Sequence, residues 1–130
     1  MDIYDVLLRD FPFLLKGLGV AIVLLVALLM IGFVLGLGIC LVQLYGPRSR
    51  LVQWPLMLYE RIFRGVPIII MLFIFFYGIS GVWDISAFGA AVLAMGLRSA
   101  AYQSQIFRSA FQSVPAGQMM AARAMGMSKI

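Results

Sequence analysis

Two long stretches without a charged residue dominate the chain. The first, Gly17 to Pro47, lies between Lys16 and Arg48 and is built mostly of Leu, Val, Ile and Gly. A bilayer core about 30 Å thick needs about 20 helical residues, so this stretch predicts a transmembrane helix over 17–45 with length to spare. A cleaved signal sequence would lead with positive charge and carry a shorter apolar run of about 7–15 residues. Here the chain starts on the acidic Met1-Asp2-Ile3-Tyr4-Asp5 and the run is too long, so the expectation is a permanent helix. The second stretch, from Gly65 to Trp83 between Arg64 and Asp84, predicts a span over 66–83. Pro67 leaves two arrangements open. It can occupy the first turn of this helix, where a missing N–H costs little, or kink a longer helix that begins near Trp54-Pro55.

A third span over 85–107 has to be assembled from unequal parts. Ile85 to Leu97 is apolar but too short, and crossing requires the polar continuation from Arg98 to Gln105. In a helix Arg98, Tyr102, Gln105 and Ser109 fall on one face, which predicts that this stripe faces protein or a water-filled cavity rather than lipid. The fold class expected is an all-α polytopic membrane protein of about three spans. Composition agrees: 64% of the 130 residues are hydrophobic and 12% charged, against about 45–50% and 25% in soluble domains. There is no histidine, and the one cysteine, Cys40, lies in an apolar run as a small packing residue. A disulfide framework, a thiol metal site and a nucleophile–base pair are therefore not expected, and neither is enzymatic activity.

Charge adds orientation. The net charge of +5 divides unevenly, with Arg48, Arg50, Arg61 and Arg64 between the first two spans and Glu60 the only acid there. On the other side stand Asp2, Asp5, Asp10 and Asp84 with Arg9 and Lys16. The positive-inside rule places the first loop in the cytoplasm and the N-terminus outside. Three crossings then bring Arg108, Arg123 and Lys129 into the cytoplasm as well, and Trp83-Asp84 marks a short outer loop. The basic excess reports topology and does not call for a nucleic-acid partner.

Two motifs remain. Gly32-Phe33-Val34-Leu35-Gly36, extended by Gly38, is a small-xxx-small pattern that lets a second helix backbone approach closely. From Ser113 to Ser128, Pro115 suits a helix first turn, the Ala/Met run favours helix, and Gly126 suits a left-handed C-terminal cap. This reads as a short cytoplasmic helix whose small alanines and adaptable methionines fit a partner's groove. The competing reading is a helix lying on the membrane surface.

Three stretches carry a resemblance. Gly117-Gln118 followed by Ala121-Ala122 and Gly126 resembles the EAA loop of the permease subunits of bacterial ABC importers. Phe63-Arg64-Gly65-Val66-Pro67-Ile68 and Ala101-Tyr102-x-x-Gln105-Ile106-Phe107-Arg108 are similar to two segments of the polar amino-acid branch of that family. The resemblance covers essentially the whole chain, in order and spacing. It implies an incomplete type I importer transmembrane domain with an EAA-like coupling loop over 113–128. Gly117, Gln118, Met120, Ala121, Ala122, Arg123 and Gly126 would touch a cytoplasmic ABC ATPase dimer. The further partners implied are a second permease subunit, identical or different, an extracytoplasmic substrate-binding protein and the lipid bilayer. No cofactor is implied in this chain, since ATP and Mg would sit on the ATPase. The location implied is the inner membrane.

The chain departs from the family pattern at Met120, Gln105 and Ser109, where Glu, Glu and Gly are usual. Family members also run to about two hundred residues with about five spans, so a chain ending at Ile130 is expected to lack the later helices and not to transport alone. Arg98, Tyr102 and Gln105 are the candidate substrate pathway. Arg98 has two readings, a cation for a substrate carboxylate or a side chain snorkelling to the headgroups. The alternative from another class is a self-contained small membrane protein, either a small multidrug exporter or a holin-like pore former. An exporter coupled to protons would need an acid within a span, and Glu60 and Asp84 read as lying at span ends. An accessory fragment pairing with a full permease also fits the length.

Overall fold

In the computed structural model, residues 3–79, 81 and 83–128 are described, and all their regular structure is helical. The charges of Asp2 and Lys129, the chain end Ile130 and the span residue Val82 lie outside the described residues, as does the side chain of Asp5. Helix α1 (Ile3–Tyr45) is followed by α2 (Arg50–Gly65), α3 (Ile68–Phe73) running into one π-helical turn (Ile74–Gly78), α4 (Ala87–Gln112) and α5 (Ala116–Ala124).

Helix α1 extends well beyond 17–45. Its 43 residues make a rod about 65 Å long, and Arg9–Tyr45 alone is long and apolar enough to cross a bilayer. Most of its large side chains are exposed, as for Val23, Met30 and Val34. In lipid such a surface is solvated, and a helix satisfies its own backbone. The second span is not one helix over 66–83. Helix α2 and the segment Ile68–Gly78 meet at 108°, and only together do they have the length and composition of a span. The break falls at Val66–Pro67, which comes nearest to the kinked longer helix: it begins at Arg50 rather than near Trp54-Pro55, and bends where Pro67 caps the start of α3. Helix α4 takes in the third expected span from Ala87 onward, two residues later than 85, and continues to Gln112. Ser86 opens it by accepting a hydrogen bond from the Gly89 amide at 3.1 Å, a typical N-cap.

Packing centres on α1 and α4, which run parallel in a constant register. Ile31 lies against Gly96, and Gln43 bonds Arg108, a separation of 65 residues in the chain. Parallel neighbours require the segment between them to return to the starting side, and bent α2–α3 makes that return. The contact is built from small residues. A Cβ at Gly32 would come within 2.9 Å of the Ser99 Cβ, and one at Gly36 within 3.0 Å of the Ala100 carbonyl oxygen. Facing them, Ala94, Ala100, Ala101 and Ser104 are buried on α4, and Cys40 is buried one turn beyond Gly36. Such surfaces permit close approach where lipid gives no hydrophobic driving force between helices. Gly38 does not extend the motif, since nothing lies within 4 Å of its added Cβ.

Candidate functional site

Helix α2 engages Arg98, Tyr102 and Gln105 of the α4 stripe, leaving Tyr102 partly exposed, and the break in the return segment explains why. At the end of α2 the carbonyls of Phe63 and Arg64 would ordinarily accept from the amides of residues 67 and 68. Residue 67 is proline and has no N–H, and the chain turns away before 68. Arg98 reaches across from α4 and donates through one terminal nitrogen to the Phe63 oxygen at 3.0 Å and to the Val66 oxygen at 2.6 Å. Its other terminal nitrogen lies 3.3 Å from the Tyr102 hydroxyl, which in turn lies 3.5 Å from the Arg64 oxygen. A cation at a helix C-terminus is also favoured by the helix dipole. The Tyr102 ring is shared: the guanidinium carbons of Arg98 and Arg64 sit 5.3 and 5.5 Å from its centroid.

About two turns along α4 from Arg98, Gln105 is engaged differently. Its amide donates to Glu60 Oε2 at 2.7 Å, while Glu60 Oε1 accepts from Ser104 Oγ at 2.7 Å and from the Gln43 amide at 3.0 Å. Helices α1 and α4 thus place three donors on one carboxylate of α2 that is 5% exposed. The Gln43 carbonyl accepts from Arg108 at 3.3 Å, carrying the network to a second charge. Tyr59, one residue before Glu60, donates to the Leu97 carbonyl at 2.6 Å, so α2 is stitched to α4 at three levels. A fully partnered buried polar network rigidifies the arrangement it specifies.

Glu60, which reads from sequence as lying at a span end, is buried where α2 packs on α1 and α4. The signal for Glu60 was present in the sequence as helical spacing through 50–65. Leu56, Tyr59-Glu60 and Phe63 share the face turned to α4, and Gln43 is an isolated polar residue in an apolar run. Of the four stripe residues, Arg98, Tyr102 and Gln105 face α2, and Ser109 is exposed.

The EAA-like loop stands apart from this site. Helix α5 packs against none of the other helices, and Gly117, Gln118, Met120, Ala121 and Arg123 are exposed while Ala122 is half-buried. Ser113 closes α4 rather than opening α5, bonding back to the Ala110 carbonyl at 2.8 Å, and Pro115 precedes the first turn of α5 instead of lying in it. The far end follows the expectation: Gly126 has φ of +83°. The Met127 amide bonds the Ala122 oxygen at 3.1 Å and the Gly126 amide bonds the Arg123 oxygen at 3.0 Å. These two bonds make a Schellman cap, in which glycine takes the left-handed position without steric cost.

Residues 32–130 match the family described as the binding-protein-dependent transport system inner membrane component. Among similar proteins, the one named "Probable amino-acid ABC transporter permease protein YckA" from Bacillus subtilis is 38% identical over 93% of this chain and 53% of its own length. The arginine transport system permease protein ArtQ of the same organism is 33% identical over 95% and 56%. The histidine/lysine/arginine/ornithine transport system permease protein HisM of Escherichia coli is 33% identical over 86% and 51%. The chain thus spans about half the length of these relatives. A crystal structure of an amino acid ABC transporter with histidines superimposes with a TM-score of 0.85 at 29% identity, covering 98% of this chain and 59% of the other. With a family match that takes in both α4 and the exposed α5, the chain belongs to the inner-membrane components of binding-protein-dependent transport systems.

Proposed function

We propose that this chain is the N-terminal part of a permease subunit that moves a polar amino acid across the inner membrane by ATP-driven alternating access. The observation that carries the reading is α5, a capped helix with Met119 and Met120 54% and 66% exposed and no partner among the helices of its own chain. A partner's groove is the natural place for such a surface, because flexible methionines adapt to irregular shapes. In this reading Gly117, Gln118, Met120, Ala121, Ala122, Arg123 and Gly126 meet a cytoplasmic ATPase dimer, which holds the ATP and Mg. A second permease subunit completes the pathway, and an extracytoplasmic binding protein delivers the substrate. Relatives whose names specify arginine and histidine transport support a polar amino acid as cargo.

Arg98, Tyr102 and Gln105 belong to the pathway in a particular sense. Arg98 and Gln105 are held by α2, so they answer to movement of α2 against α4. A substrate carboxylate would have to compete with the Phe63 and Val66 carbonyls for Arg98. Sliding of α2 would therefore expose or withdraw the cation.

The test is co-purification of the chain with the cytoplasmic ATPase of its transport system. The native loop is expected to retain the ATPase, and a version with Ala121, Ala122 and Gly126 replaced by Leu is expected to lose it. Failure of the ATPase to associate at all, or association that survives the replacement, would remove α5 as the coupling element.

A further inference from the structure

Helix α2 turns one face to α1 and α4 and leaves the other open. On the open side Leu51 is 86% and Trp54 63% exposed, and Leu58 and Ile62 continue the same stripe at helical spacing. Arg48, Arg50 and Arg61 border it, all exposed. The only acid of the helix, Glu60, is on the opposite face and occupied by three donors. A concavity of about 590 Å³ opens beside Trp54 next to Arg50, and a smaller one of about 90 Å³ lies between Trp54 and Arg61.

Helix α1 fixes where the first turns of this face stand. The Gln53 amide donates to the Pro47 carbonyl at 3.1 Å and the Val42 carbonyl at 3.3 Å, which holds the first turns of α2 against the end of the uncharged stretch. Tyr45, 75% exposed, stands at the same level. Tyrosine and tryptophan collect where the acyl region meets the headgroups. The open face of α2 thus combines an apolar trough with cations at both ends, beside the end of the uncharged stretch of α1.

We infer that this face is a binding site for an anionic phospholipid, its headgroup held by Arg48, Arg50 and Arg61 and its acyl chains lying along Leu51, Trp54 and Leu58. Charge complementarity selects this occupant. A zwitterionic lipid would fill the trough without answering the arginines, and a protein would have to bring an acidic rim around an apolar plug. Basic amphipathic helices gain from anionic leaflets through each arginine near the surface. The site requires only that α1 crosses the bilayer and does not depend on the transport reading.

With Trp83→Phe, Trp54 becomes the only indole of the chain. The full chain carrying that change is reconstituted in phosphatidylcholine vesicles, and brominated phosphatidylglycerol or brominated phosphatidylcholine is added as a contact quencher. Brominated phosphatidylglycerol is expected to quench Trp54 at about 3-fold lower mole fraction, a preference that weakens as salt screens the charges. R50Q/R61Q is expected to abolish the preference and R50K/R61K to retain it, which separates charge from misfolding. Equal quenching by the two lipids, or a preference that survives R50Q/R61Q, overturns the proposal. Absence of quenching by either lipid overturns it too, by showing that protein covers the face.

Discussion

At the residue scale the defining feature is a missing donor. Pro67 withdraws the amide that would bond the Phe63 carbonyl, and Arg98 supplies a replacement from another helix. Hydrogen bonds to charged groups contribute about 1.5–3 kcal/mol, so Arg98→Ala is expected to destabilise the detergent-purified chain by about 2 kcal/mol. Pro67→Ala restores a backbone donor at the break. The double variant is therefore expected to be less destabilised than the sum of the two singles by about 1 kcal/mol, a coupling that a double-mutant cycle of thermal unfolding reads directly. Strict additivity would mean that Arg98 does not stand in for the lost amide. Glu60 makes the complementary case, because Glu60→Ala strands three donors and Gln43→Ala strands far less. A larger loss of thermal stability for Glu60→Ala is expected, and equal losses would show that the carboxylate is not the node. That the Arg98 stripe avoids lipid was legible in outline, as a face toward protein or a water-filled cavity, whereas its pairing with the α2 carbonyls is neither the substrate cation nor the snorkelling side chain that the sequence suggested. The partners were not legible, because carbonyls have no sequence identity and only the position of Pro67 hints at which ones lack donors.

At the scale of elements, helix packing in this chain is decided by which glycines meet a neighbour. Gly32 and Gly36 meet α4 closely, whereas Gly38 meets nothing within 4 Å. Leucine at either of the first two would force the α1–α4 contact apart, an overpacking that costs about 3 kcal/mol or more, whereas Gly38→Leu is expected to leave stability within about 0.5 kcal/mol. Comparing the unfolding midpoints of Gly36→Leu and Gly38→Leu tests the assignment of the interface, and similar effects of the two would contradict it. The sequence pattern gave the presence of this motif but not its phase, since three glycines within seven residues cannot all lie on one face. The same limit applies to α2. Reading 48–64 as the charged loop located its arginines on one side of the membrane, yet left a helix there only as an option beginning near Trp54-Pro55, four residues late. Four arginines lower the hydropathy of a segment whose apolar and polar residues are nevertheless sorted onto separate faces. Length added a second obstacle: Gly65 to Trp83 is long enough to cross, and only the 108° bend reveals that α2 shares the work with an 11-residue partner, Ile68–Gly78.

For the whole molecule, the parallel register of α1 and α4 constrains topology more firmly than any single charge. Because Ile31 meets Gly96 and Gln43 meets Arg108, the ends of α1 and α4 that carry Tyr45 and Gln112 lie on the same side, and α5 follows on that side. Among the described residues, seven basic ones, Arg48, Arg50, Arg61, Arg64, Arg98, Arg108 and Arg123, would then occupy the cytoplasmic half with Glu60, and the acidic N-terminal region the other. The positive-inside rule predicts this arrangement, and a coupling role for α5 demands it. Single cysteines read the orientation cleanly, since the native Cys40 is fully buried and competes little for reagent. In intact cells a membrane-impermeant maleimide is expected to label Asp84→Cys, and to label Gln118→Cys only after the membrane is opened. Labelling in the opposite sense would invert the chain and place α5 out of reach of a cytoplasmic ATPase, ending the coupling proposal while leaving the packing of α1 and α4 intact. Labelling of both positions from outside would mean something different: bent α2–α3 would not recross the bilayer, and the parallel register would have to arise with α4 only partly inserted.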